Sequence, residues 1–150
     1  MSEDDPADIH MSTDDLVATL CRGVAHPHRM AILRGINQNY ALTRVATVLN
    51  LSRSGVQTHV DTLVDTDLVV RTGDQQDPYH VTVLGELALH LVEHVQNSVE
   101  VIEDARQTAA AQANDELGET PLPDVERDRA IHRRTWELVD DAIDDADLKF

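Results

Sequence analysis

The stretch LTRVATVLNLSRSGVQTHVDTLVDT, residues 42–66, decides the fold class. Apolar residues recur at threes and fours in both halves, which predicts a short helix over 42–49 and a second helix over 53–66. Residues 50–52 make a tight turn between them, and Ser52 is placed to cap the second helix. Two short helices joined by such a turn form a helix-turn-helix.

The segments on either side extend this unit. After the second helix the period changes from helical spacing to alternation, and residues 68–72 and 79–83 are rich in β-branched side chains. The turn-forming residues 73–78 between them predict a β-hairpin over 68–83, which would be a wing. Upstream, two more helices are expected, the second beginning at Pro27.

A long helix follows the predicted hairpin. Apolar residues continue at threes and fours to about residue 113, so the helix would be roughly 40 Å long at 1.5 Å per residue. It is too long for a core that ends at the hairpin, and we expect its apolar stripe to pack against the same stripe in a second copy of the chain. The predicted fold is mainly α with a small β-hairpin wing, organised as a flexible acidic tail (1–12), a winged helix-turn-helix (13–85), a dimerisation helix (86–113), a linker (114–124) and an acidic C-terminal helix or tail (125–150).

Charge is distributed unevenly along the chain. Its 150 residues carry 28 acidic and 12 basic side chains, a formal net charge of -16, and all but one of the basic residues are arginine. This Asp-rich, Lys-poor composition resembles that of proteins from halophiles that accumulate salt, whose acidic surfaces stay hydrated in concentrated KCl. Residues 22–85 nevertheless hold six arginines against five aspartates, so an anion could dock on this near-neutral segment. The alternative is that a packed segment has less surface to acidify.

The expected compartment is the cytoplasm, because no signal peptide or membrane-spanning run is evident. The single cysteine, Cys21, excludes an internal disulfide and any cysteine-based cluster. Cys21 falls on the apolar face of the first predicted helix, which predicts a small buried thiol; redox sensing is the alternative.

Four motifs in this order resemble the ArsR-type winged helix-turn-helix transcription regulators, over about residues 14–95. They are AHPHRMAIL, LTRVATVLNLS, SGVQTHVDTL and YHVTVLG, which begin at residues 25, 42, 54 and 79. Asp67 stands where the family usually has glycine before the wing, and Asp tolerates the left-handed conformation. The cysteine motif of metal-sensing members is missing from residues 44–48, so that metal site is excluded.

The resemblance implies a homodimer that binds double-stranded DNA, with helix 53–66 in the major groove and hairpin 68–83 on the flanking backbone. With the predicted apolar face removed, Arg53 could read guanine, Gln57 adenine, and Ser54 or Thr58 a base or phosphate. The full set of candidate DNA-binding residues is Thr43, Arg44, Ser52, Arg53, Ser54, Gln57, Thr58, His59, Arg71, Gln75 and Gln76. For His59, a packed histidine and a base-reading one remain open.

Two other classes of function are alternatives. A winged helix with an acidic C-terminal region could be a protein-interaction module of transcription or replication machinery. His90, Glu93 and His94 fit the pattern H-x-x-E-H, and histidines four residues apart on a helix can ligate one metal ion, as in a metal-responsive regulator. Because the two histidines flank an apolar stripe and no third ligand is evident, we expect no enzyme activity, no cofactor and no metal there.

Overall fold

The computed structural model describes residues 12–73, 75 and 78–150. Over these residues the chain is mainly helical, with a small antiparallel hairpin and one long helix, which confirms the predicted class at this level. The elements in order are α1 (Thr13–Val24), α2 (Pro27–Asn37), α3 (Leu42–Leu49), α4 (Arg53–Asp65), β1 (Val69–Arg71), β2 (Tyr79–Val81), α5 (Val83–Leu117) and α6 (Asp124–Asp145). None of the described helices has both the length and the apolar composition that crossing a bilayer requires. The chain divides after Glu93 into two compact units.

Helix α2 lies at the centre of the first unit, where it contacts α1, α3, α4 and β2. Its Ile32 and Leu33 are completely buried, as are Val60 and Leu63 of α4. Fully burying a side chain of this size stabilises the fold by about 1.5–3 kcal/mol relative to leaving it exposed. The apolar packing of α2 therefore fixes the position of α4, the helix that carries most of the candidate site residues.

Polar contacts hold α1 in place at both ends. The Ser12 hydroxyl accepts a hydrogen bond from the Asp15 amide at 3.2 Å, and the Asp15 carboxylate accepts one from the Ser12 amide. This reciprocal pair is a capping box, which satisfies two donors at the helix start. At the other end, the Arg29 guanidinium of α2 donates to the carbonyls of Gly23 at 2.8 Å and Arg22 at 3.0 Å. Arg29 thus joins the end of α1 to the start of α2.

The return from the hairpin into α5 is built on the backbone of residues 67 and 68. Asp67 has a positive φ of 60°, so the left-handed turn survives without glycine, as predicted. The Thr82 hydroxyl donates to the Asp67 carbonyl at 2.6 Å and accepts from the Gly85 amide at 3.0 Å. The Thr82 amide donates to the Leu68 carbonyl at 3.1 Å. Thr82 therefore caps α5 and ties its start to the turn that follows α4.

The boundaries of α5 differ from the prediction at both ends. The helix begins at Val83 instead of residue 86, because the Thr82 hydroxyl caps it there. It continues to Leu117, so the first residues of the predicted linker 114–124 are helical. Glu116 explains the extension, since its carboxylate accepts hydrogen bonds from two side chains, Gln112 and Arg134. These contacts stabilise a final turn that the apolar periodicity does not mark.

Smaller elements also differ from the prediction. The strands are shorter than the hairpin 68–83 suggested, and helix 53–66 ends at Asp65. Cys21 is exposed, so the expectation of a buried thiol is wrong. The inward face of α1 is centred on Leu20 and Val24, and Cys21 lies about 100° around the helix from Leu20. The predicted tail falls outside the described residues except for Ser12.

In the second unit, the C-terminal half of α5 packs with α6. Ala109 and Ala113 of α5 and Thr135 and Val139 of α6 are buried. The Arg134 guanidinium of α6 donates to a Glu116 carboxylate oxygen of α5 at 2.9 Å and also contacts Glu137. The buried residues of the two helices face each other, and the Arg134–Glu116 ion pair links them at the surface.

We expect Gly85→Ala to lower the free energy of unfolding by about 3 kcal/mol, the upper end of the usual cost of overpacking. A Cβ at this position would overlap the Leu68 carbonyl oxygen and crowd Val81, and backbone cannot move as a flexible side chain can. Gly73→Ala is the matched control, because a Cβ there meets no described atom within 4 Å. Urea unfolding in concentrated KCl measures the free energy of unfolding of both variants. Equal stabilities for the two would contradict the proposed close approach.

Candidate nucleic-acid interface

The turn between α3 and α4 sets the position of the first residues of α4. Asn50 ends α3 in the left-handed conformation, with φ 53° and ψ 43°. The Ser52 hydroxyl accepts a hydrogen bond from the Gly55 amide at 3.0 Å, so Ser52 caps α4 as predicted. Val45 of α3 and Val56 of α4 are both buried beneath this turn. The packing leaves the first turn of α4 exposed on its polar side.

Three predicted contact residues, Arg53, Ser54 and Thr58, are exposed on this side of α4. Ser54 lies with its hydroxyl oxygen 3.2 Å from that of Ser52, and the Thr58 hydroxyl donates to the Ser54 carbonyl at 3.0 Å. A hydroxyl oxygen has two acceptor lone pairs, so each retains capacity for a ligand. Among the residues described, none forms a hydrogen bond or ion pair with the Arg53 guanidinium. Its donors are available to a partner outside the chain.

Gln57 occupies a different place from the one predicted. Its side-chain amide donates to the Asp61 carboxylate at 2.8 Å and to the Tyr79 hydroxyl at 3.2 Å. The Tyr79 hydroxyl also accepts from the Arg71 guanidinium at 3.1 Å. Gln57 is half-buried, because it faces the hairpin instead of extending away from the helix. One phenol oxygen therefore connects α4 with both strands of the hairpin.

The role of Tyr79 is not evident from the sequence alone. The residue lies in the motif YHVTVLG but is not one of the candidate site residues. Tyr79 is only 7% exposed, and the Arg71 guanidinium carbon lies 5.5 Å from its ring centroid. The feature of the sequence that points to this role is an aromatic residue with a polar group at the start of a short strand. Such a buried hydroxyl needs a hydrogen-bond partner, but only the fold identifies Gln57 and Arg71.

The two α3 candidates lie in different places. Thr43 lines a cleft between α3 and α4 together with Arg53 and Gln57. Arg44 lines a separate cleft with residues of α2, and its guanidinium carbon lies 4.7 Å from the centroid of the Tyr40 ring. That distance corresponds to a cation–π contact. The fold therefore brings Thr43, but not Arg44, together with the exposed start of α4.

The hairpin contributes fewer described candidates than the sequence suggested. Arg71 and Gln75 are exposed, whereas Gln76 lies outside the described residues.

From α3 to the end of β1, residues 42–71, three arginines balance three aspartates. This segment is therefore neutral in a chain of net charge -16, and two of its arginines, Arg53 and Arg71, are exposed on α4 and β1.

His59 is half-buried, and its ring packs against two other histidines. Its ring centroid lies 4.6 Å from that of His26 and 5.6 Å from that of His28. Burial lowers the pKa of His59, and the charges of His26, Arg29 and His28 lower it further. The His59 ring thus lies at the contact between α2 and α4, beside the histidines at the start of α2.

The histidines of α5 behave differently. His90, Glu93 and His94 are all exposed. Among the described residues, His26, His28 and His59 bring three potential metal ligands close together, whereas His90, Glu93 and His94 do not. The sequence alone does not reveal that group, because His59 lies 31 residues after His28 and 33 after His26, and only helix packing brings the three together.

Comparison with known proteins identifies no relative. No family model matches the chain. No curated protein and no solved structure matches it either.

We expect Tyr79→Phe to lower the free energy of unfolding by about 1 kcal/mol, the usual net value of a hydrogen bond. The variant removes the oxygen shared by Gln57 and Arg71 and keeps the buried ring. Amide hydrogen exchange in β1 and β2 should accelerate. Tyr40→Phe is the control, since Tyr40 is exposed and its ring remains for Arg44. Unchanged exchange in the Tyr79 variant would show that the hydroxyl does not hold the hairpin on α4.

Proposed function

We propose that this chain is a sequence-specific, DNA-binding transcription regulator that acts as a homodimer, like the ArsR-type proteins that it resembles. The observation that carries the proposal is the exposed Arg53 at the start of a capped helix, without a partner among the described residues. The hairpin is bonded to that same helix through the Tyr79 hydroxyl. A helix start with free donors beside a hairpin suits the geometry in which a recognition helix enters the major groove.

The proposed roles follow from the hydrogen bonds of each side chain. Arg53 has a fork of donors that matches the O6 and N7 acceptors of guanine. Ser54 and Thr58 have hydroxyls that reach bases or phosphates. Arg71 and Gln75 on the hairpin contact the flanking backbone. Gln57 is assigned to holding the hairpin instead of reading adenine, because its hydrogen bonds to Asp61 and Tyr79 stay within the chain.

Exposed apolar side chains on α5 support the proposed dimer. Leu87 and Leu91 are 57% and 39% exposed, and Val95 and Val99 further along the helix are 46% and 53% exposed. Within each pair the two residues are four positions apart, so they are neighbours on the helix surface. Contact with a second copy would remove this surface from water and would present two α4 helices to one DNA site.

Arg53→Ala should weaken specific DNA binding about 5- to 150-fold, which corresponds to the roughly 1–3 kcal/mol of a bidentate base contact. Arg133→Ala is the control: it removes the same charge from an exposed position on α6. The ligand is a duplex enriched from a random-sequence pool by the unaltered protein in concentrated KCl, and fluorescence anisotropy gives the affinities. Failure to enrich any sequence, or equal losses in both variants, would overturn the proposed reading by α4.

Leu91→Asp should raise the dissociation constant of the dimer at least about 100-fold. Each dimer buries two copies of Leu91, and each stabilises by about 1.5 kcal/mol or more when fully buried. Asn97→Asp introduces the same charge at an exposed position on another side of α5 and should leave dimerisation unchanged. Sedimentation equilibrium in concentrated KCl measures the dimer dissociation constants of both variants. A monomeric unaltered chain, or dimers of equal strength in both variants, would contradict an interface on this stripe.

A further inference from the structure

Three histidines from two separate parts of the sequence meet where α2 packs against α4. His26 precedes α2, His28 lies in its first turn, and His59 lies in the middle of α4. The ring centroids of His26 and His28 are 5.0 Å apart, and one ligand nitrogen of each of the three rings lies within 4.8 Å of the others. All three rings are half-buried, so the cluster is reachable from solvent.

The geometry points to a transition-metal site formed by His26, His28 and His59, with Zn²⁺ as the ion that fits best. Three imidazoles with one open position are a common zinc ligand set, and the open position would take water or chloride. Nitrogens around a tetrahedral zinc at 2.0–2.1 Å are about 3.3 Å apart. Side-chain rotations that move each nitrogen by about an ångström would bring the three nitrogens to that spacing.

Metal binding must alter the start of α2. The Nδ1 atom of His26 accepts a hydrogen bond from the His28 amide at 3.1 Å and thereby caps the helix. If Nδ1 binds the metal, its lone pair is no longer available. If Nε2 binds it, Nδ1 carries the proton of the neutral ring and cannot accept. Either mode exchanges the helix cap for a metal bond.

The site also connects to the candidate interface. His59 lies on α4, six residues after Arg53, so a metal held by all three rings links the start of α2 directly to that helix. This regulatory role rests on the proposed function, whereas the metal site itself does not. Zinc would then change the affinity of α4 for DNA by restraining the helix and releasing the α2 cap.

The first test measures metal binding without DNA. Untagged full-length chain, stripped with EDTA, is titrated with Zn²⁺ against a chromophoric chelator in concentrated KCl, and with Co²⁺ for its visible absorption. One tight site per chain and the intense bands of tetrahedral cobalt are expected. His26→Ser keeps a good helix cap but removes a ligand, and His59→Gln removes another. Each should weaken zinc binding at least about 100-fold, more than the loss of an outer hydrogen-bond partner of a ligand.

The control is the double variant His90→Ser, His94→Gln, which removes two exposed histidines and leaves the cluster intact. It should bind zinc like the unaltered chain. Zinc binding that survives in His26→Ser and His59→Gln, or that is lost only in the control, would overturn the site. The site would also be overturned if the unaltered chain bound less than one zinc ion per chain, because the three rings would then pack against one another without binding a metal.

The second test adds the duplex enriched by the metal-free protein. Zinc should change its dissociation constant at least about fivefold, a typical coupling between two sites, in the unaltered chain but not in His26→Ser. If no duplex is enriched, the proposed function fails while the metal result stands. If zinc binds with the expected stoichiometry and leaves the affinity of both proteins unchanged, the regulatory role is overturned and the site remains.

Discussion

The close approach of α5 to the Leu68 carbonyl is the contact on which the first unit depends. The Leu68 side chain is completely buried in the core, while its carbonyl oxygen accepts the Thr82 amide at 3.1 Å. Gly85 must lack a side chain for the helix to pass at this distance. Leu68 therefore contributes its side chain to the core, while its carbonyl contacts the base of the hairpin and the start of α5. The path of the hairpin beside α4 follows from that arrangement.

The charge layout gives the proposed DNA contact a particular physical character. In molar salt the Debye length is about 3 Å, so the acidic flanks exert little repulsion beyond their immediate neighbours. The same salt reduces what counterion release contributes, because the released ions enter a concentrated solution. Recognition by Arg53 and the hairpin would then depend on short-range hydrogen bonds and fit. A near-neutral surface is sufficient for this kind of binding.

Local signals could be read from the sequence, whereas contacts between distant residues could not. Ser52 as a cap and Asp67 in a left-handed turn depend only on their neighbours, and both predictions are confirmed. Gln57 was expected to extend outward, but its orientation is set by Tyr79, 22 residues away. Periodicity identified α5 but not its last turn, which hydrogen bonds to Glu116 support. Nothing local indicates that His59 meets His26.

Turns and glycines have separate roles in this protein. Within the described ranges, every residue with positive φ is asparagine or aspartate and no glycine is, the four residues being Asn39, Asn50, Asp67 and Asp147. Two of the glycines, Gly23 and Gly85, instead lie where a Cβ would overlap another group. Glycine would give the unfolded chain more backbone freedom to lose, so a side chain at each turn reduces the conformational entropy that opposes folding. Where the residue is aspartate, the same position also adds a hydrated carboxylate to the surface.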